Sequence, residues 1–114
     1  MKLDHFTAAY LIAAVWADAP EGSDAQLSTE ARQRADMDCA KFCAQHGDLI
    51  EQAMQENAYT VDQAGHDFWL TRNGHGAGFW DRSLGELGER LSEAARKFGA
   101  CDLYVGDDGK LYMQ

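Results

Sequence analysis

The chain has 114 residues, 46% of them hydrophobic, with one proline, so one folded domain is expected and disorder is not. Nineteen acids against ten bases give a net charge of −9 and exclude direct binding to nucleic-acid phosphates, which needs a basic footprint. Three cysteines, an odd number, do not form a secreted disulfide framework and point to a reducing compartment.

The first element is a helix over residues 3–17. Leu3, Phe6, Tyr10, Ala14 and Ala17 follow one stripe, and Leu11, Ile12 and Val15 widen it. A helix apolar around most of its circumference is buried or lies between other elements. The run AAYLIAAVWA at residues 8–17 loosely imitates a signal peptide. Asp4 and His5 interrupt the basic segment such a peptide needs, and the run is too short to span a bilayer. A cytoplasmic location is expected. Pro20, Glu21, Gly22 and Ser23 end the helix in a loop.

Ser28 is a good N-cap for a second helix, with Glu30 in its first turn. Its apolar stripe runs Ala31, Ala35, Cys39, Phe42, Cys43, His46, Leu49, Ile50, Ala53 and Met54. Gly47 leaves open one long helix or two joined there. Glu30, Arg34, Asp38, Lys41, Asp48 and Glu56 mark a solvated face. Cys39 and Cys43 with His46 have ligand-like residue types, but the stripe explains the cysteines as core.

Thr60 and Gln63 form a capping box that predicts a helix from about Val61 to Arg72, stopped by Asn73 and Gly74. A hairpin turning at Asn73-Gly74 is the rival reading. Residues 74–82 read as a loop. A second capping box, Ser83 with Glu86, opens a helix burying Leu84, Leu87, Leu91, Ala94, Ala95 and Phe98, with Gly99 at its end. Glu86–Arg90 and Glu93–Lys97 are spaced as i, i+4 surface pairs. The chain closes with alternating residues around Gly106-Asp107-Asp108-Gly109, which reads as a β-hairpin that must pack on the helices. The fold expected is α+β: a small, mostly helical domain of four to five helices with a C-terminal β-hairpin.

Candidate functional residues concentrate in residues 65–82, GHDFWLTRNGHGAGFWDR, which hold two of three tryptophans, two of four histidines and two arginines. Trp and Arg are enriched at interface hot spots. Trp69, Arg72, Asn73, His75, Phe79, Trp80 and Arg82 are therefore the candidate partner-binding set. The competing reading has the aromatics covering the core, with Arg72 or Arg82 stacked or paired with an acid.

His66, Asp67, His75 and Asp81 are the candidate metal or acid–base cluster, of residue types that suit zinc or a harder divalent ion. Their spacing matches no standard signature, so no metal or other cofactor is expected. The Gly74-x-Gly76-x-Gly78 run lacks both the preceding strand and the Lys-Ser/Thr of a phosphate loop. The Asp107-Asp108-Gly109 run lacks the spaced ligands of a calcium loop.

The run HDFWLTRNGHGAGFWDR, with LGELGERLSEAARKFG and DLYVGDDGKLY after it, resembles a group of small acidic proteins encoded by phages, prophages and plasmids. The resemblance covers residues 60–114 well. The first 58 residues share only helical, acidic character, with DCAKF at 38–42 the best fit. It carries over no catalytic or binding residue. It implies a setting: a mobile element acting inside a bacterial cell.

Three functions are weighed. The first is a non-enzymatic accessory protein that binds a host protein, in its sharpest form an inhibitor of a CRISPR complex or restriction enzyme. Its acids would meet the partner's basic nucleic-acid-binding surface. The second is a metal-dependent hydrolase or nucleotide-processing enzyme using His66, Asp67, His75 and Asp81. The third is a self-associating structural or regulatory phage protein. Residues 1–62 have a net charge of −7 and residues 63–114 of −2, so the acids and the aromatic segment lie mostly in different halves.

Overall fold

A computed structural model describes all residues, 1–114. Four α-helices, α1 (Leu3–Asp18), α2 (Thr29–Glu56), α3 (Val61–Arg72) and α4 (Glu86–Lys97), precede a hairpin of β1 (Leu103–Val105) and β2 (Leu111–Met113). A single 3₁₀ turn, Phe79–Asp81, interrupts the loop between α3 and α4. The α+β class and the C-terminal hairpin are thus as expected.

The 28-residue α2 passes through Gly47 without a break. At 1.5 Å per residue it is about 42 Å long, close to the longest dimension of the molecule, 44 Å. Ser28 caps it by accepting from the Ala31 amide at 3.0 Å. The Thr60 hydroxyl accepts from the Gln63 amide and the Gln63 side chain accepts from the Thr60 amide, each at 3.1 Å. These bonds start α3 where the sequence places it, and the rival hairpin does not form.

The start of α4 corrects the sequence reading. Ser83 does not cap it; its φ is +59° and the helix begins at Glu86 behind Gly85. Leu84 is still buried, but from the loop. The local reason is the preceding turn: Phe79 is fully buried, and Gly88 brings α4 to the Phe79 carbonyl, 2.9 Å from where a Cβ would stand. Meeting that anchor delays the helix by two residues. Neither Glu86–Arg90 nor Glu93–Lys97 closes as an ion pair; the i, i+4 pair that forms is Arg34–Asp38 at 3.0 Å.

The hairpin pairs Leu103 with Met113, Tyr104 with Tyr112 and Val105 with Leu111. Its support includes a contact the sequence did not announce. Residues 26–28 lie along β2, with the Leu111 amide bonded to the Gln26 carbonyl and the Ser28 amide to the Leu111 carbonyl, both at 2.8 Å. A short hairpin is marginal alone, so these bonds and the burial of Leu111 fix it to the start of α2.

The core is aromatic. Phe42 of α2 stacks on Phe68 of α3 at 4.1 Å between ring centres, with Phe6 at 6.1 Å and Phe79 at 5.9 Å. Tyr10 meets Trp69 edge-on at 5.3 Å. Cys39 is buried, as its stripe position implied, and Cys43 is half-buried.

Close approach of α1 and α3 depends on Gly65. A Cβ there would stand 2.1 Å from the Phe6 carbonyl oxygen, a backbone atom that cannot rotate away. Gly65→Ala should therefore destabilise the fold by about 1–3 kcal/mol, because overpacking outweighs the roughly 1 kcal/mol gained in helix propensity. Urea unfolding of the variant measures this. An unchanged or higher midpoint would contradict the packing described.

Candidate functional site

The first cleft, about 570 Å³, lies between the end of α1, the outer side of α3 and the loop after α3. Trp16 and Ala17 form one wall, His66 and Leu70 the floor, and His75 through Ala77 with Asp81 and Arg82 the opposite rim. The volume is within the range of small-ligand clefts. A shallower groove over Ile12, Asp62 and Gln63 adjoins it, sharing His66 and Arg82.

Trp16 is 74% exposed, and its ring lies 5.8 Å from that of His66. The buried Nδ1 of His66 has no hydrogen-bond partner. Across the cleft, Nε2 of His75 is 3.0 Å from Oδ2 of Asp18. The same oxygen accepts from the Trp69 indole N–H. One carboxylate thus ties the end of α1 to the α3 core and to the glycine loop. The amide of His75 also donates to the Leu70 carbonyl at 3.0 Å.

Arg82 is held from below. Its Nε and Nη2 donate to Asp67 at 3.0 Å, and the Tyr59 hydroxyl donates to the same carboxylate at 2.7 Å. Asp67 is fully buried, so this pairing is what makes its charge tolerable. Hydrogen bonding to Asp67 holds the Arg82 pKa above its usual value. Burial, then the Asp67 charge, pushes the Tyr59 hydroxyl well above its ordinary range.

Trp69, Arg72 and Phe79 are corrected as partner contacts: all three are buried, at 0%, 4% and 0% exposure. The aromatics fill the core. Arg72 is enclosed because four of its N–H donors meet acceptors inside the fold: Gly99 and Phe98 carbonyls, the Tyr10 hydroxyl and Asp38. Burial opposes its charge, but Tyr10 and Asp38 outweigh that and keep the Arg72 pKa raised. Asn73 is turned inward too, donating to the Trp69 carbonyl and accepting from the Cys101 amide at 2.7 Å. Asp38, placed by sequence on the solvated face of α2, is instead the acceptor of Arg34 and Arg72.

Trp80, 51% exposed, remains on the surface. His75 and Arg82 remain half-exposed, on the rim of the cleft.

The metal candidates do not assemble. Asp67 is engaged by Arg82 and Tyr59, and no group of three His, Cys, Asp or Glu side chains is close enough to hold a metal ion. His66, His75 and Asp81 face the same cleft without converging on one point. No Ser, Thr or Cys lines the cleft, so the imidazoles have no adjacent nucleophile to activate.

Sequence reasoning missed Ile12, Val15 and Trp16, exposed at 66%, 37% and 74% on the outer side of α1. A signal was present: α1 is apolar around most of its circumference, and a helix with only one side against the core leaves such residues uncovered. Asp18 had no signal, since its partners are 51 and 57 residues away. No helix is long and apolar enough to cross a membrane. No protein-family model matches the chain, and no curated protein or solved structure matches it.

Proposed function

We propose that this protein is a non-enzymatic accessory protein of a mobile element that binds a host protein in the bacterial cytoplasm. The observation that carries the reading is the uncovered ridge of α1. Ile12 and Trp16, exposed at 66% and 74%, stand beside a cleft edged by Arg82 and His66. An exposed Trp facing an anchored Arg across a cleft has the composition of an interface hot spot. The docking face is therefore centred on α1 rather than on the 65–82 segment alone. Trp80 supplies a further exposed indole.

The resemblance to phage and plasmid proteins supports the setting. The net charge of −9 supports a partner with a basic surface. A defence protein whose nucleic-acid groove is occupied by this acidic chain is the most specific form of the proposal. The hydrolase alternative lacks support, because its four residues do not converge. Self-association through the same α1 ridge is the remaining alternative.

Affinity capture from host lysate tests the proposal, using wild type beside Ile12→Ala/Trp16→Ala. Both side chains are exposed, so the variant's unfolding free energy should stay within about 0.5 kcal/mol of wild type per site. One host protein should be enriched by wild type, and loss of a hot-spot residue should lower its affinity at least about 30-fold. Equal recovery by both proteins would remove the α1 face. A wild-type dimer that the variant abolishes, with no host partner, would favour self-association. Expression that fails to raise phage plating in hosts carrying CRISPR or restriction systems would discard the defence-inhibitor form alone.

A further inference from the structure

A second cleft, about 370 Å³, lies where α2 passes the end of α3 and the C-terminal turn of α4. Its charged lining is Arg34, Lys41, Arg72 and Lys97, with Asp38 as the only acid. Four of the ten Lys and Arg residues therefore meet one of the nineteen acids. The clustering is against the trend of the chain, since everything outside the cleft holds six bases and eighteen acids.

Cations gathered this way repel one another unless something negative sits among them. Asp38 meets part of that need. Its Oδ2 accepts from Arg34 at 3.0 Å and from Arg72 at 2.8 Å, and one carboxylate cannot balance two guanidinium groups. Lys41 and Lys97 join no ion pair; Lys41 stands 5.7 Å from the centre of the Phe98 ring. Glu93, one helical turn before Lys97, does not neutralise it. His46 completes the wall, and burial together with Lys97 depresses its pKa. The cleft is also built from fixed parts. The Arg72 side chain is 1% exposed and locked by carbonyls and Tyr10. Phe98 packs edge-on against Phe42 and Phe68 at 5.7 and 5.2 Å.

We propose that this cleft binds a small phosphorylated anion, with Lys41, Lys97 and Arg34 around the phosphate groups and Arg72 forming the rigid back wall. Lys and Arg make charge-assisted hydrogen bonds to phosphate oxygens. At physiological salt the Debye length is about 8 Å, so acids farther than that from the cleft add little to the field inside it. A polymer would extend beyond the cleft onto the acidic remainder of the surface, where each further phosphate is repelled. The size and the charge pattern thus favour a ligand no larger than a nucleotide. This site shares no residue with the α1 face, and either proposal stands if the other fails.

Calorimetric titration of the full chain with sodium pyrophosphate and with ADP tests it. One or both should bind once per chain, more weakly as salt rises. Equal affinities would mean that the phosphates alone are read. Tighter ADP binding would add a contact to the nucleoside. Lys41→Gln/Lys97→Gln should weaken binding about tenfold or more, while Lys2→Gln/Lys110→Gln should bind as wild type. Independently of any variant, amide shifts in NMR spectra should move first around residues 41, 46 and 97. Failure of both ligands to bind, unchanged affinity in Lys41→Gln/Lys97→Gln, or tighter binding of a single-stranded oligonucleotide than of ADP would overturn the proposal.

Discussion

Arg72→Ala should destabilise the protein by about 3–5 kcal/mol, the range for removing one partner of a buried charged network. Native domains are stable by only about 5–15 kcal/mol, so this is a large share. The substitution leaves the Phe98 and Gly99 carbonyls and the Tyr10 hydroxyl each without a donor, and leaves Asp38 with Arg34 alone. It also removes a guanidinium that stands 5.6 Å from both the Phe68 and Phe98 rings. Arg72→Lys keeps the charge but not the planar fork, and should recover only part of the loss. Arg96→Ala, exposed on α4, is the control and should stay within about 0.5 kcal/mol of wild type. Urea unfolding reads all three. A loss below about 1 kcal/mol for Arg72→Ala would mean that the network is not what joins α3 to the α4–β1 junction.

Stability should also fall steeply in mild alkali. Burial pushes the Cys39 thiol and the Tyr10 and Tyr59 hydroxyls well above their ordinary ranges, and pushes the Cys43 thiol up to about 12. Burial raises Cys101 as well. In the unfolded chain these thiols ionise near pH 9 and the hydroxyls near 10. Above those values the unfolded chain holds fewer protons than the folded one, so unfolding releases protons and rising pH favours it. Each group with a raised folded pKa contributes nothing to the pH dependence below its unfolded pKa. Above it, each adds a slope of about 1.4 kcal/mol per pH unit until the folded pKa is reached. Cys39 and Cys43 acting together would remove about 3 kcal/mol per unit once fully ionised in the unfolded chain. Unfolding midpoints measured from pH 7 to pH 10 should therefore hold steady at first and then drop. Cys39→Ala should lower the slope by about one proton's worth. A midpoint that stays constant through pH 10 would contradict the burial of these groups.

Local chemistry carries the helices. Ser28, Thr60 and Gln63 satisfy amides within their own first turns, so their caps could be read without knowing what lay nearby. The same holds for the stripes of α2 and α4 and the alternation of the hairpin. Ser83 is the exception that marks the limit. Its capping box is sound locally, yet the anchoring of Phe79 and the contact at Gly88 displace the helix start to Glu86. Ser28 also shows both levels at once: its side chain caps α2, while its amide pairs with Leu111, a contact across 83 positions.

By itself, the sequence determined the α+β class, the limits of α3, the core stripe of α2 and the special character of residues 65–82, because each depends on neighbours within a turn or two. Only the tertiary structure decided which of those residues face outward. Whether Arg72 reaches solvent depends on Asp38, Tyr10, Phe98 and Gly99, which approach it from three other parts of the chain. The same packing left Ile12 and Trp16 uncovered and gathered Arg34, Lys41, Arg72 and Lys97 around one cleft. Exposure and charge proximity are properties of packed helices, and residue spacing along one helix does not specify what the next helix will cover.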